Sequence, residues 1–397
     1  MLQGLTESEK FVTSISERAF LKLWTHPNPI GKKGKELCDC LIVCENHIII
    51  ISVKDIQYKD TGDIAGWKRW TKAAIEKSAS QIWGAERWLD SSQSFTRRDG
   101  RAVELPPKDD RIIHRISVSF GAKRQILTTS GDLGHGIVQV CDEYSLGAIF
   151  GLLDTITDFV VFLSEVESLI SRANVLFAGG GIEDLLAIYL LNNYSFPFKE
   201  ADFLTIDDTI FKGFVYSDDF KSMQESYKES YFWDKLIEHL AEDLLTDGMF
   251  DYSTGEVTSN QLALIQMALQ PRDHRANLAE KFIEFLQNPE LKIAARVMLA
   301  YRNTAFVFHL GASSDREARA QELGLRCLVV RGRLPDVKVV VGISRDKLGP
   351  SEIGYSHDIA YVDIPEWTYE FEEQVNNIQN ELGYFENASW VRKPANA

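Results

Sequence analysis

Three side chains of different chemical types lie close together in the sequence, between residues 39 and 54. Asp39 belongs to one apolar run, and Ser52 and Lys54 belong to the next. A carboxylate can hold a hard divalent cation, and an ammonium group can stabilise negative charge that develops during a reaction. These residue types could act together in one site, provided that the fold brings them to one surface.

The surrounding sequence predicts how the three side chains meet. Two apolar runs, residues 37–44 and 47–54, flank the polar pair Glu45-Asn46, which is a pattern typical of a β-hairpin. With this pair as the turn, Asp39 lies directly opposite Ser52. Lys54 projects from the same face, because side chains alternate along a strand. Buried polar groups are costly unless they are paired, so we expect the three residues to act together.

This arrangement resembles the PD-(D/E)XK nuclease superfamily, whose fold is also called restriction-endonuclease-like. Its signature is an acid on one strand and acid-x-Lys on the adjacent antiparallel strand. Asp39 matches the first acid and Lys54 matches the lysine, but Ser52 stands where the second acid usually lies. The resemblance covers only the N-terminal part of the chain. It implies divalent-metal-dependent hydrolysis of phosphodiester bonds in nucleic acid, with DNA as the expected substrate.

The resemblance also implies roles for two helices. In this superfamily the helix before the hairpin often contributes a further acid, and Glu17 in the predicted helix 6–24 is the candidate; a solvated glutamate is the alternative. Several branches place a glutamine on the helix after the lysine strand, facing the site. Gln81 in the predicted helix 66–90 fits that position.

The implied cofactor is Mg²⁺ or Mn²⁺. Asp39 is the first ligand, the carbonyl of Val53 is a second, and Glu17 could replace the carboxylate that is missing at Ser52. Glu36 is a weaker substitute, because three residues before Asp39 on a strand it should point to the opposite face unless a bulge intervenes.

The order of predicted elements in residues 1–172 is helix, hairpin, helix, strand and helix, which indicates an α/β fold with a mixed β-sheet flanked by helices. We expect residues 173–397 to form an acidic helical and α/β domain for binding or assembly, in which Leu325–Val330 is predicted to be a strand. The glycine run 179–181 precedes a helix but matches no phosphate-binding motif.

The distribution of charge along the chain indicates which part can bind nucleic acid. The net charge is −15, but residues 1–172 hold 22 Lys and Arg against 23 Asp and Glu, and the remaining residues hold 21 against 35. The first part can therefore contact phosphates, whereas the acidic second part repels them and suits a protein partner. A homo-oligomer is also compatible with the sequence.

Composition points to a cytoplasmic protein without a membrane segment. No apolar run approaches the roughly 20 residues of a spanning helix, and acidic and basic residues interrupt the N-terminus where a signal peptide would need an apolar core. The five cysteines are an odd number and lack zinc-ligand spacing, which is typical of a reduced protein.

Two other functions remain open. The chain could be a catalytically inactive protein of the nuclease fold that binds nucleic acid or serves as an assembly subunit, and Ser52 is the best argument for it. Alternatively, Asp39 and Lys54 could form only a structural ion pair. Bacterial anti-phage defence nucleases often join such a domain to a second module, which suggests a setting for the enzyme.

Overall fold

The computed structural model describes residues 5–59, 64–122, 131–198, 200–246, 258–287, 294–312, 315–347 and 356–386. The chain divides into two compact units, Met1–Val257 with Ala268–Ala276, and Thr258–Met267 with Asn277–Ala397. The predicted boundary near residue 172 therefore lies inside the first unit. Buried ion pairs tie the helices on either side of that position together, because Arg272 binds both Asp154 and Asp234.

The described residues of the first unit form ten strands. They are β1 (Thr25–Pro27), β2 (Cys40–Cys44), β3 (His47–Asp55), β4 (Ser94–Thr96), β5 (Ala102–Glu104), β6 (Ile112–Phe120), β7 (Gly131–Asp132), β8 (Ile137–Cys141), β9 (Asn174–Ala178) and β10 (Phe203–Asp207). Six of them form the main sheet in the order β1-β2-β3-β6-β8-β7. The sheet is mixed, because β3, β6 and β8 run parallel and the other neighbours run antiparallel.

Helices cover this sheet, so the predicted α/β class with a mixed, helix-flanked sheet is confirmed. The helices of the first unit are α1 (Glu7–Phe20), α2 (Ile64–Thr71), α3 (Lys77–Asp90), α4 (Glu143–Leu152), α5 (Ile156–Arg172), α6 (Ile182–Leu191), α7 (Ile210–Val215), α8 (Asp218–Tyr227) and α9 (Ser230–Thr246). The predicted capping box of α1 is present, since Thr6 and Glu9 exchange hydrogen bonds.

The long helix predicted for residues 66–90 contains an interruption. A π-helical turn, Lys72–Glu76, joins α2 to α3, and the N–H of Lys77 donates to the carbonyl of Lys72. The apolar periodicity of the sequence predicts a helix. It does not reveal that one turn holds an extra residue and is therefore π-helical.

The two faces of the main sheet differ in their neighbours. Leu41 and Val43 of β2, with Ile48 and Ile50 of β3, pack against the apolar side of α3. On the other face, α1 lies against β1, β2 and β3. Alternation therefore assigns the even-numbered residues of β3 to the α3 face.

The second unit has its own four-stranded sheet in the order β11-β12-β13-β14. Its elements are α10 (Ser259–Ala268) and α11 (Arg272–Gln287), which reach both units, then β11 (Ala294–Leu299), β12 (Ala305–Ala312), α12 (Arg316–Arg333), β13 (Val339–Lys347), β14 (His357–Asp363) and α13 (Tyr369–Leu382). Strands β12 and β13 are parallel and are joined through α12.

The predicted strand Leu325–Val330 is wrong, because these residues lie within α12. Its β-branched pair suggested a strand. The residues that α12 contributes to the apolar core cluster are Leu323, Cys327 and Val330, and this spacing is that of a helix.

Candidate functional site

The hairpin has the predicted register. Cys40 lies opposite Ile51, and Cys44 lies opposite His47. Glu45 adopts a positive φ of 53° in the two-residue turn, as such tight hairpin turns require. The last pair of the hairpin is Cys40 with Ile51, so Asp39, the next residue outward, lies opposite Ser52.

Asp39 is bound to the neighbouring strand through its side chain. Its Oδ2 atom accepts a hydrogen bond of 2.5 Å from the backbone N–H of Val53. Burial raises the pKa of the Asp39 carboxyl, and this bond, the charge of Lys54 and the hydroxyl of Ser52 oppose that rise. The carboxylate therefore lies half-buried at the end of the hairpin, close to both predicted partners.

Ser52 and Gln81 are joined directly. The Ser52 hydroxyl donates to Oε1 of Gln81 at 3.0 Å, so the glutamine on α3 faces this end of β3. Ser78, one turn earlier in the same helix, donates to the carbonyl of Ser52 at 3.3 Å. Ser52 is fully buried, whereas Gln81 is exposed, so the pair connects the sheet to the surface.

The Lys54 ammonium and the Val53 carbonyl are in direct contact near Asp39. The Lys54 ammonium donates to the Val53 carbonyl at 3.2 Å. The N–H and the C=O of one strand residue point to the same side. Because the Val53 N–H is directed at Asp39, its carbonyl opens toward the same gap beyond the end of β2. The structure thus brings four predicted residues, Asp39, Ser52, Lys54 and Gln81, together with the Val53 carbonyl.

Two carboxylates that were not favoured from the sequence also act on this gap. The pKa of the Glu36 carboxyl is raised by burial of one side of the group and by the charge of Asp39, and the two carboxyls are within hydrogen-bonding reach of each other. Asn28 donates to the other Glu36 oxygen at 2.8 Å. Glu9, near the start of α1, raises the pKa of Asp39 and of Glu36.

The expectation that Glu36 points away from Asp39 is therefore wrong. It assumed that strand alternation extends back to residue 36, but β2 begins only at Cys40. Glu36 makes an isolated bridge with Ile30, and its side chain is free to turn toward Asp39. No feature of the sequence distinguishes this bend from a continuous strand.

Glu17 has other neighbours. Its charge raises the pKa of Cys40, which alternates with Asp39 and so lies on the opposite face, and that of Glu238. The acid of α1 whose charge reaches Asp39 is Glu9, two helical turns earlier. The role expected of Glu17 as a metal ligand therefore stays a prediction.

Two carboxylates near the gap are the residues that could hold a metal ion. Within the described residues, no group of three or more His, Cys, Asp and Glu side chains is arranged to hold a metal ion. Mg²⁺, however, is commonly held by one or two carboxylates, with waters and substrate phosphates as its other ligands. Glu36 and Asp39 could supply two such carboxylates, because the charge of Asp39 raises the pKa of Glu36 and a cation between them would relieve that repulsion.

The glycine-rich turn before α6 already has its polar groups satisfied by the chain itself. Asp184 accepts bonds from the N–H groups of Gly181 and Phe211, at 3.0 and 2.9 Å. Glu183 accepts a bond from Ser145. The carboxylates of the first helical turn therefore occupy the place where a phosphate would bind.

No helix in the described part of the chain is both long and apolar enough to cross a membrane. Comparison of the chain with protein-family models, with curated proteins and with solved structures finds no match.

Proposed function

We propose that this protein is a divalent-metal-dependent nuclease with a restriction-endonuclease-like first domain, and that it hydrolyses phosphodiester bonds in nucleic acid, with DNA as the expected substrate. The observation that carries the proposal is the arrangement at the end of the hairpin. Asp39, the Val53 carbonyl and Lys54 surround one gap, and Gln81 and Ser52 form its wall.

Each group has a chemical task in this proposal. Asp39 and Glu36 would hold Mg²⁺ or Mn²⁺, with the Val53 carbonyl as a neutral oxygen ligand. The bound cation would supply an activated water and offset the charge of the phosphoryl transition state. Lys54 provides a second positive charge, which orients the attacking water or stabilises the developing negative charge. Gln81 is exposed at the mouth of the site, where its amide group can bind the substrate backbone.

A second function has a specific observation in its favour. Ser52 occupies the position of the second acid, and its hydroxyl, which donates to Gln81, brings no negative charge to the site. A chain that has lost catalysis could keep this neutral wall and still bind nucleic acid, or serve as an assembly subunit. The two functions differ in whether the site binds a divalent cation.

The test is cleavage of supercoiled plasmid and of single-stranded DNA and RNA, each with Mg²⁺, with Mn²⁺ and with a chelator. We expect cleavage only with a divalent cation, and a loss of at least about a hundredfold for Lys54→Ala, since general acid–base and electrostatic groups contribute 10²–10⁴. Lys59→Ala is the matched control, because Lys59 is exposed five residues further along the chain.

Nucleic-acid binding without cleavage under all these conditions would support the inactive binding subunit instead. Cleavage that survives both Lys54→Ala and Asp39→Asn would show that the chemistry lies elsewhere and would contradict the proposed site.

The wider setting belongs to the same proposal. All five cysteines are buried and none of them forms a disulfide bond, which suits the reducing cytoplasm. The acidic residues after position 172 would face a protein partner or a second copy of the chain. A role in bacterial anti-phage defence follows only from the resemblance of the first domain to nucleases that carry a second module.

A further inference from the structure

Two hydroxyl groups on β6 are buried without hydrogen bonds. Ser117 and Ser119 are fully enclosed. Within the described residues, the Oγ atom of each has no hydrogen-bond partner. A buried hydroxyl that has lost water and gained no partner costs free energy, so two of them in one place require an explanation.

The strand register places both hydroxyls beside the candidate site. Strands β3 and β6 are parallel, with Ser117 next to Ser52 and Ser119 next to Lys54. Paired residues of neighbouring strands share a face, so both hydroxyls lie on the α3 side of the sheet.

The π-helical turn Lys72–Glu76 lies against this part of the sheet. It contacts both β3 and β6 and buries Ala74 and Ile75. Thr71, immediately before the turn, carries a third buried hydroxyl oxygen without a partner in the described structure. Single π-helical turns are uncommon and are frequent at functional sites.

Ser78 provides a contrast within the same layer. It is as deeply buried as Ser117, but its hydroxyl donates to the Ser52 carbonyl at 3.3 Å. In the closed arrangement, the Ser78 hydroxyl on α3 therefore makes a hydrogen bond. The hydroxyls near the π-helical turn, those of Ser117, Ser119 and Thr71, make none within the described residues.

We propose that the π-helical turn is a gate over the inner wall of the candidate site. In the closed arrangement seen here, the Ser117 and Ser119 hydroxyls are buried and bond to no other protein group among the described residues. When the turn lifts locally, water reaches both hydroxyls and hydrates them beside Lys54 and Ser52. Opening therefore costs less here than in a layer whose polar groups are all paired. This inference does not depend on the reaction that the site performs.

Amide hydrogen exchange of the full-length protein tests the gate. The Ser117→Ala/Ser119→Ala variant lacks the hydroxyls that water hydrates in the open state. The closed state therefore becomes more stable relative to the open state. We expect exchange across residues 72–77 to slow by at least about fivefold per hydroxyl removed, with no change in α5. Ser78→Ala, which removes a bond made in the closed state, should instead accelerate exchange in residues 72–77. The two single variants replace the double one if its near-ultraviolet circular dichroism differs from wild type.

Three results would overturn the gate. Unchanged or faster exchange in the Ser117→Ala/Ser119→Ala variant would mean that both hydroxyls are already satisfied in the closed state. Equal slowing in α5 and in residues 72–77 would mean that the substitutions act on global unfolding. Slowing in Ser78→Ala would remove the distinction between paired and unpaired hydroxyls on which the inference rests.

Discussion

The carboxylate of Asp39 accepts the backbone N–H of Val53, so a side chain beyond the end of β2 continues the pairing of the hairpin. This contact holds the acid against the strand that carries Lys54. Hydrogen bonds to a charged acceptor are shorter and stronger than those between neutral groups. One bond therefore serves both the stability of the hairpin end and the position of the proposed metal ligand.

Substitution of Asp39 should separate these two roles. Asp39→Asn keeps an oxygen for the Val53 N–H but loses the charge, so we expect Mn²⁺ binding to disappear while stability stays near wild type. Asp39→Ala should also lower the free energy of unfolding by about 1–3 kcal/mol, because it leaves the N–H unpaired. Isothermal titration with Mn²⁺ and urea denaturation measure the two effects. Equal stability of the two variants would contradict the structural role.

Restoring the superfamily acid should not improve the site. Ser52→Glu would place a further carboxylate beside Asp39 and Glu36, where like charges raise one another's pKa and crowd an octahedral shell. It would also face the Gln81 oxygen that Ser52 now donates to. We expect activity to stay level or fall, with Ser52→Gln as the uncharged control. Mn²⁺ binding that appears only in Ser52→Glu would mean that the natural protein has given up metal catalysis.

Basic residues on α2 should govern nucleic-acid affinity. Lys68 and Arg69 are exposed on the helix that precedes the π-helical turn. Lys68→Glu/Arg69→Glu should weaken DNA binding several-fold and flatten its dependence on salt, because two phosphate contacts are lost. Lys221→Glu, in the acidic part of the chain, is the control and should leave affinity unchanged. Fluorescence anisotropy at several salt concentrations measures both, and a larger loss in the control would place the nucleic acid elsewhere.

Asp234 should be the most sensitive acid in the first unit. Its carboxylate binds two buried guanidinium groups, those of Arg272 and Arg275. Asp234→Ala would leave the Arg275 guanidinium without a carboxylate partner, while Arg272 would keep its pair with Asp154. Breaking a buried pair in this way typically costs about 3–5 kcal/mol, so we expect a loss of about that size in urea denaturation. Asp208→Ala removes an exposed pair with Lys212 and should cost less than about 1 kcal/mol.

Buried histidines should make the protein less stable in acid. Burial lowers the pKa of His26 and of His114 to about 3, from an ordinary value of 6.5. Below pH 6.5 these histidines bind protons in the unfolded chain but stay neutral in the folded protein. The free energy of unfolding therefore falls as the pH drops from 6.5 toward 3. It is insensitive to these groups above 6.5. Each histidine adds a slope of about 1.4 kcal/mol per pH unit.

Urea denaturation at pH 7.5, 5.5 and 4.5 checks this slope. His114→Gln, which cannot be protonated, should lose less stability between pH 6 and pH 4 than wild type. His135→Gln is the control, because His135 is exposed and its substitution should leave the slope unchanged. Identical slopes in wild type and His114→Gln would show that His114 is accessible to protons in the folded state.

The amino-acid sequence by itself determined the hairpin and what it carries. Two apolar runs and the Glu45-Asn46 pair specify a two-residue turn, and the strict alternation of strand side chains then assigns Asp39, Ser52 and Lys54 to one face. Gln81 was expected only through the resemblance, which places a glutamine on the helix after the lysine strand, and the Ser52–Gln81 hydrogen bond puts its side chain at that strand.

Only the tertiary structure decided which other groups reach that face. Whether Glu9 or Glu17 approaches Asp39 depends on how α1 lies against the sheet, and a helical pattern does not report that angle. Glu36 turns toward Asp39 because β2 starts at Cys40, a boundary set by pairing with other strands. The π-helical turn and the unpaired hydroxyls of Ser117 and Ser119 arise from packing between segments more than 40 residues apart, and such packing leaves no trace in local periodicity.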